Sequence, residues 1–123
     1  MRRLRSVSFA LVCAGALMAP VAAFAHAHLD RSTPAAGTAL KEPPPEVMLW
    51  FTEAVEPKFS SIEVRDAKGA AVQDGAAAAV PGNTAQLRVK LKPLAAGTYT
   101  VKWRVLSVDT HRSQGDFTFR VGP

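Results

Sequence analysis

The sequence predicts an all-β, immunoglobulin-like sandwich of about seven strands preceded by a secretory leader. Three observations predict it. A basic start at Arg2, Arg3 and Arg5 runs into an apolar stretch from Val7 to Phe24, which closes on Ala23-Phe24-Ala25. After residue 25, proline and glycine punctuate the chain throughout, from Pro34 and Gly37 to Pro93 and Gly97. Between them lie short stretches that alternate apolar and polar with period two, and no helical spacing emerges.

The first 25 residues have the layout of a cleavable signal peptide, with small residues at the two positions a signal peptidase reads. A membrane anchor is the other reading. The apolar run sits near the lower limit for a spanning helix, and Pro20 shortens it. Processing after Ala25 divides the chain into residues 1–25, the leader, and 26–123, one β domain that does not span a membrane.

Each strand follows from its own alternation. A short opening strand is expected near Leu29. Glu46–Thr52 presents Val47, Leu49 and Phe51 to one side. Phe59–Arg65 presents Ile62 and Val64, and a brief strand is expected at Ala70–Val72. Ala76–Ala79 reads as a loose surface loop, since four alanines are too few to sustain a helix. Ala85–Leu91 turns Leu87, Val89 and Leu91 inward and leaves Arg88, Lys90 and Lys92 on a solvent face. Thr98–Val105 places Tyr99, Val101, Trp103 and Val105 against Thr100, Lys102 and Arg104. Tyr99 at that strand's start has the layout of a tyrosine corner, and Trp103 reads as the central core aromatic. Asp116–Val121 closes the set with Phe117, Phe119 and Val121.

Charge and sulfur narrow the function. The precursor's formal charge of +5 falls to +2 once Arg2, Arg3 and Arg5 leave without any acid. A weakly charged domain with interspersed signs gives no footprint for nucleic acid. Cys13 is the only cysteine and lies in the leader, where Val12 before it is a poor lipoprotein signal. The processed domain therefore has no disulfide and no thiolate ligand. Met48 is its only thioether, so a sulfur-rich copper(I) site cannot be assembled.

Histidine carries the remaining signal. The chain has three, His26, His28 and His111. Asp109 and His111 stand one residue apart in "SVDTHRS", so in an extended segment both project to one side. Taken alone, the triplet reads more readily as a surface pair in a turn, with Asp109 capping backbone amides. Cutting after Ala25 makes His26 the first residue, whose α-amine and ring can grip one ion. Amines of that kind titrate near pH ~8 and imidazoles near ~6.5, so a metal displaces their protons at modest cost. With His111 and Asp109 the set becomes three nitrogens and one oxygen. Such donors suit copper(II) in a tetragonal arrangement, and zinc can use them tetrahedrally. Ala25-His26-Ala27 is also a small-x-small site, and a cut there exposes His28 instead. After the first cut, His28 is either an exposed edge residue or an auxiliary metal contact.

The stretches "HAHLDRSTPAAGTAL", "VMLWFTEAV" and "LAAGTYTVKWRVLSVDTHRSQGDFTFRV", in that order, resemble the periplasmic copper-resistance family CopC. The resemblance covers nearly all of residues 26–122. It implies a Greek-key β-barrel or sandwich, a periplasmic location, and a copper carrier rather than an enzyme. It implies one copper(II) ion per chain, held by His26, Asp109 and His111. Glu53 of "FTE" matches a glutamate that lies near the site in some members and is assigned an outer-sphere, orienting role. As partner it implies an inner-membrane copper transporter of the CopD type, although membrane importers, oxidases and simple sequestration all fit. One departure stands out. Some members carry a loop of methionines with a histidine that holds copper(I), and the corresponding Ala67–Val80 has neither. The chain resembles the copper(II)-only type.

Two other classes share these features. An N-terminal histidine paired with a second one on a β-sandwich also resembles the copper brace of oxidative polysaccharide-cleaving enzymes. Against that, the short domain leaves little room for a substrate surface, and Asp109 would fill a position that oxygen needs open. A metal-free immunoglobulin-like interaction module explains the fold, but not the joint occurrence of an N-terminal histidine and the D-T-H triplet.

Overall fold

Alternation along the chain gives strands with one apolar face, and two such sheets bury those faces against each other. The computed structural model describes Gly15 and residues 26–123, so the expectations for residues 1–25 lie outside the described residues. The strands are β1 (Leu29–Thr33), β2 (Ala39–Leu40), β3 (Glu46–Phe51), β4 (Ser61–Arg65), β5 (Gln73–Val80), β6 (Asn83–Leu91), β7 (Gly97–Leu106) and β8 (Arg112–Val121). They form two four-stranded sheets, ordered β1-β3-β6-β5 and β2-β8-β7-β4. Among the described residues no helix is long and apolar enough to cross a membrane.

The predicted inward residues fill the space between the sheets. Val47, Leu49, Phe51, Ile62, Val64, Leu87, Val89, Tyr99, Val101, Trp103, Val105, Phe119 and Val121 are all buried. Side chains such as Leu49 and Phe119, fully enclosed, each contribute about 1.5–3 kcal/mol through removal from water. Tyr99 stacks on Phe119 with ring centres 5.4 Å apart, and its hydroxyl donates to the Ala95 carbonyl, which completes the corner. Trp103 meets Phe51 edge to face at 5.3 Å. Across the β7–β8 pair Trp103 lies opposite Gly115. A Cβ on Gly115 would come within 2.6 Å of the indole, so only glycine leaves room for that ring.

Four expectations need correction. Ala76–Ala79 belongs to β5 and pairs with β6 at the edge of its sheet. Alanine's preference for helix needs more than one turn to act, whereas β6 offers backbone partners at once. The ladder is irregular there, with register shifts between Asp74 and Ala78, and Gly75 takes φ 95°. The strand expected at Ala70–Val72 is reduced to one bridge between Arg65 and Ala71. Asp66 draws that segment into a turn by accepting the Lys68 and Ala70 N–H groups. The strand expected from Phe59 starts at Ser61, because Pro57–Phe59 winds into a 3-10 turn. Finally, β2 adds an eighth strand, two residues parallel to β8 and too short to show a period.

Candidate metal centre

One end of the sandwich gathers the histidines. The segment before β1 is extended by the same rule that shapes the strands. Ala27 points inward and is fully buried, while His28 on the next residue is exposed. Polar side chains from both sheets hold its backbone. Thr52, just past β3, accepts the His28 N–H on Oγ1 at 2.9 Å and donates toward the His26 carbonyl at 3.3 Å. The Thr52 N–H donates to the His28 carbonyl at 2.8 Å. Ser113 of β8 donates through Oγ to the Ala27 carbonyl at 2.6 Å.

His111 arrives from the β7–β8 hairpin. Thr110 N–H donates to the Ser107 carbonyl, and Ser107 N–H to the His111 carbonyl, both at 2.9 Å. Thr110 takes φ 71°, the left-handed residue that closes a three-residue hairpin loop. Asp109 and His111 therefore face each other across a turn and not along an extended strand, which is the turn reading of the D-T-H triplet. Their Nδ1 and Oδ1 atoms are 3.7 Å apart.

Ser107 organises this turn from within. It is fully buried, its hydroxyl donates to Asp109 Oδ1, and its oxygen accepts the His111 N–H at 3.1 Å. That hydrogen bond to the charged form holds the Asp109 carboxyl below its usual value. Partial desolvation opposes the shift, and the residue's own backbone N–H and His111 add to it. At neutral pH Asp109 is thus an ionised, acceptor-only group beside an imidazole.

The two parts meet at His111. Its ring centre lies 5.2 Å from that of His26, inclined at 68°, and the His28 ring centre lies 6.0 Å from that of His26. Glu53 is half-buried beside Thr52, and its neighbour Ala54 accepts the Val108 N–H at 3.1 Å, which brings it next to the hairpin loop. No hydrogen bond or ion pair joins Glu53 to Asp109 or His111 among the described residues. With His26 still joined to Ala25, no three His, Cys, Asp or Glu side chains among the described residues are gathered closely enough to hold a metal. What stands ready is a pair of contacts that share His111. The donors are imidazole nitrogens and a carboxylate oxygen, the chemistry of a borderline divalent ion. Met48 lies elsewhere, on β3, with its sulfur 3.5 Å from Gln86 Nε2.

Thr52, Ser107 and Ser113 build the site although none of them stands out as a site residue in the motifs above. The S-x-D-x-H spacing was a usable signal for Ser107, because a hydroxyl two residues before an aspartate often bonds within a turn. Thr52 and Ser113 gave none, since their partners are distant in sequence.

The CopC domain family matches residues 29–122. The chain belongs to the CopC family. Its CopC domain match takes in Asp109 and His111 and starts after His26. Among relatives, it is 36% identical over 118 residues to Protein YobA of Escherichia coli K12, covering 95% of each chain. It is 34% identical over 123 residues to Copper resistance protein C of Xanthomonas campestris pv. juglandis, covering 95% of this chain and 96% of that one. Among solved structures, CopC from Methylosinus trichosporium OB3b superposes with a TM-score of 0.75 at 36% identity, over 80% of this chain and 95% of that one. CopC is a family of copper-resistance proteins and not of enzymes, which removes the oxidative-enzyme reading.

Proposed function

We propose that this CopC-family chain is a periplasmic copper(II) carrier that sequesters copper or delivers it to a membrane transporter of the CopD type. Residues 1–25 direct export and are cut off after Ala25. The new amino group and ring of His26, the ring of His111 and the carboxylate of Asp109 then hold one copper(II) ion. Glu53 sits outside that set and orients a ligand or a water. The observation that carries this reading is the 5.2 Å approach of His26 and His111, two residues from opposite ends of the domain. A shared apolar packing role does not explain the contact, since His111 is exposed and Asp109 stands beside it.

Copper titration of the processed protein tests it, next to a form with one extra residue before His26. The extra residue turns the amine into an amide and leaves every side chain in place. A large loss of affinity is expected in the extended form. Equal affinities would refute the amine chelate, and dialysis that removes all copper from both would refute the carrier.

A further inference from the structure

Thr52 and Ser113 bind the backbone of residues 26–28. Thr52 lies just past β3 of one sheet and Ser113 in β8 of the other, and together they engage the carbonyls of His26, Ala27 and His28 and the N–H of His28. Ala27, between the two histidines, is buried with no exposure. The backbone is therefore held at each of the three residues.

That fixation matters because the same three residues contain a second way to bind a metal. A histidine third from a free amino end can close around a divalent ion together with the amine and the two amide nitrogens between them. The result is a planar set of four nitrogens, an arrangement that suits copper(II) and nickel(II). His26-Ala27-His28 has this spacing. An amide nitrogen ligates a metal only by giving up its hydrogen, so His28 N cannot both donate to Thr52 and hold an ion. Wrapping the segment around an ion also requires Ala27 to leave the core, which opens a void behind it.

We propose that Thr52 and Ser113 are positioning residues that decide between the two modes. They direct His26 toward His111 and withhold the His28 backbone nitrogen from the metal. The folded domain thereby refuses the planar tripeptide chelate and, with it, nickel(II). Opening the clamp releases that chelate. The inference rests on the proposed cut before His26.

The test uses the processed protein loaded with copper(II) or nickel(II) and read by visible and electron paramagnetic resonance spectra. In the wild type the copper spectrum should change with His111→Ala and ignore His28→Ala. Thr52→Val keeps the side-chain shape and removes the hydroxyl. It should reverse this dependence, lower His111-dependent copper affinity about 10- to 100-fold, and admit nickel in a planar form that His28→Ala abolishes. Thr52→Ser should behave as wild type. If Thr52→Val does not fold, Ser113→Ala is read in the same way. A Thr52→Val spectrum that still follows His111, or a wild-type spectrum already lost with His28→Ala, would overturn the positioning role. A wild-type spectrum blind both to His111→Ala and to a blocked amine would instead refute the proposed copper site, and the positioning role with it.

Discussion

The hairpin that carries His111 organises itself, whereas the segment that carries His26 is organised by its neighbours. In the hairpin, Ser107, Asp109, Thr110 and His111 bond to one another within five consecutive positions. In the opening segment, order is imported from Thr52 beside one sheet and Ser113 in the other. The first arrangement exists as soon as β7 and β8 pair. The second exists only when both sheets have met. A site divided in this way can be broken at either half with different collateral damage.

The largest effect is expected from His111→Ala in the processed protein. It removes a ligand, so copper affinity should fall further than the ~10–100-fold that an outer partner costs, with the urea midpoint nearly unchanged because the side chain is exposed. Next comes Ser107→Ala, which deprives the Asp109 carboxylate of its donor and the His111 N–H of its acceptor. An affinity loss of about 10- to 100-fold is expected, together with lower stability at neutral pH, a deficit relative to wild type that shrinks in acid. The sign follows from Asp109, whose carboxyl is held low chiefly by Ser107. Its contribution to the fold is present above the ordinary carboxylate range and lost as pH falls through the lowered value. Denaturant midpoints of wild type and Ser107→Ala, measured from neutral pH into the acid range, would show the two curves converging as Asp109 is protonated.

Two further substitutions separate the scaffold from the site. Gly115→Ala drives a methyl group against Trp103. It should cost about 1–3 kcal/mol in denaturant midpoint while leaving the copper spectrum as it is. The smallest effect belongs to Thr110→Gly. It relieves a left-handed backbone at φ 71° but gains freedom in the unfolded chain, so the net change should stay within about 1 kcal/mol. A large loss of copper affinity there would show that the hairpin depends on more than its turn.

How much of this was legible in the sequence divides along the same line as the two halves of the site. The period-two runs gave the core correctly, from Val47, Leu49 and Phe51 to Phe119 and Val121, because burial on one sheet face leaves a direct imprint on sequence. The D-T-H triplet gave the hairpin pair, though through a turn and not a strand. Ala76–Ala79 misled, since its small side chains carry no alternation and the edge pairing with β6 is a tertiary fact. Thr52 and Ser113 left no local mark for the same reason. Their partners become neighbours only after the sheets close, and no spacing encodes that meeting.

In the proposed site the two segments close on a single ion through a free His26 amine and His111. Electron paramagnetic resonance of the processed protein counts the nitrogens coupled to copper(II). Three are expected, from the His26 amine, the His26 ring and the His111 ring, falling to two in His111→Ala. A count that His111→Ala leaves unchanged, or that persists when the amine is blocked, would contradict that site.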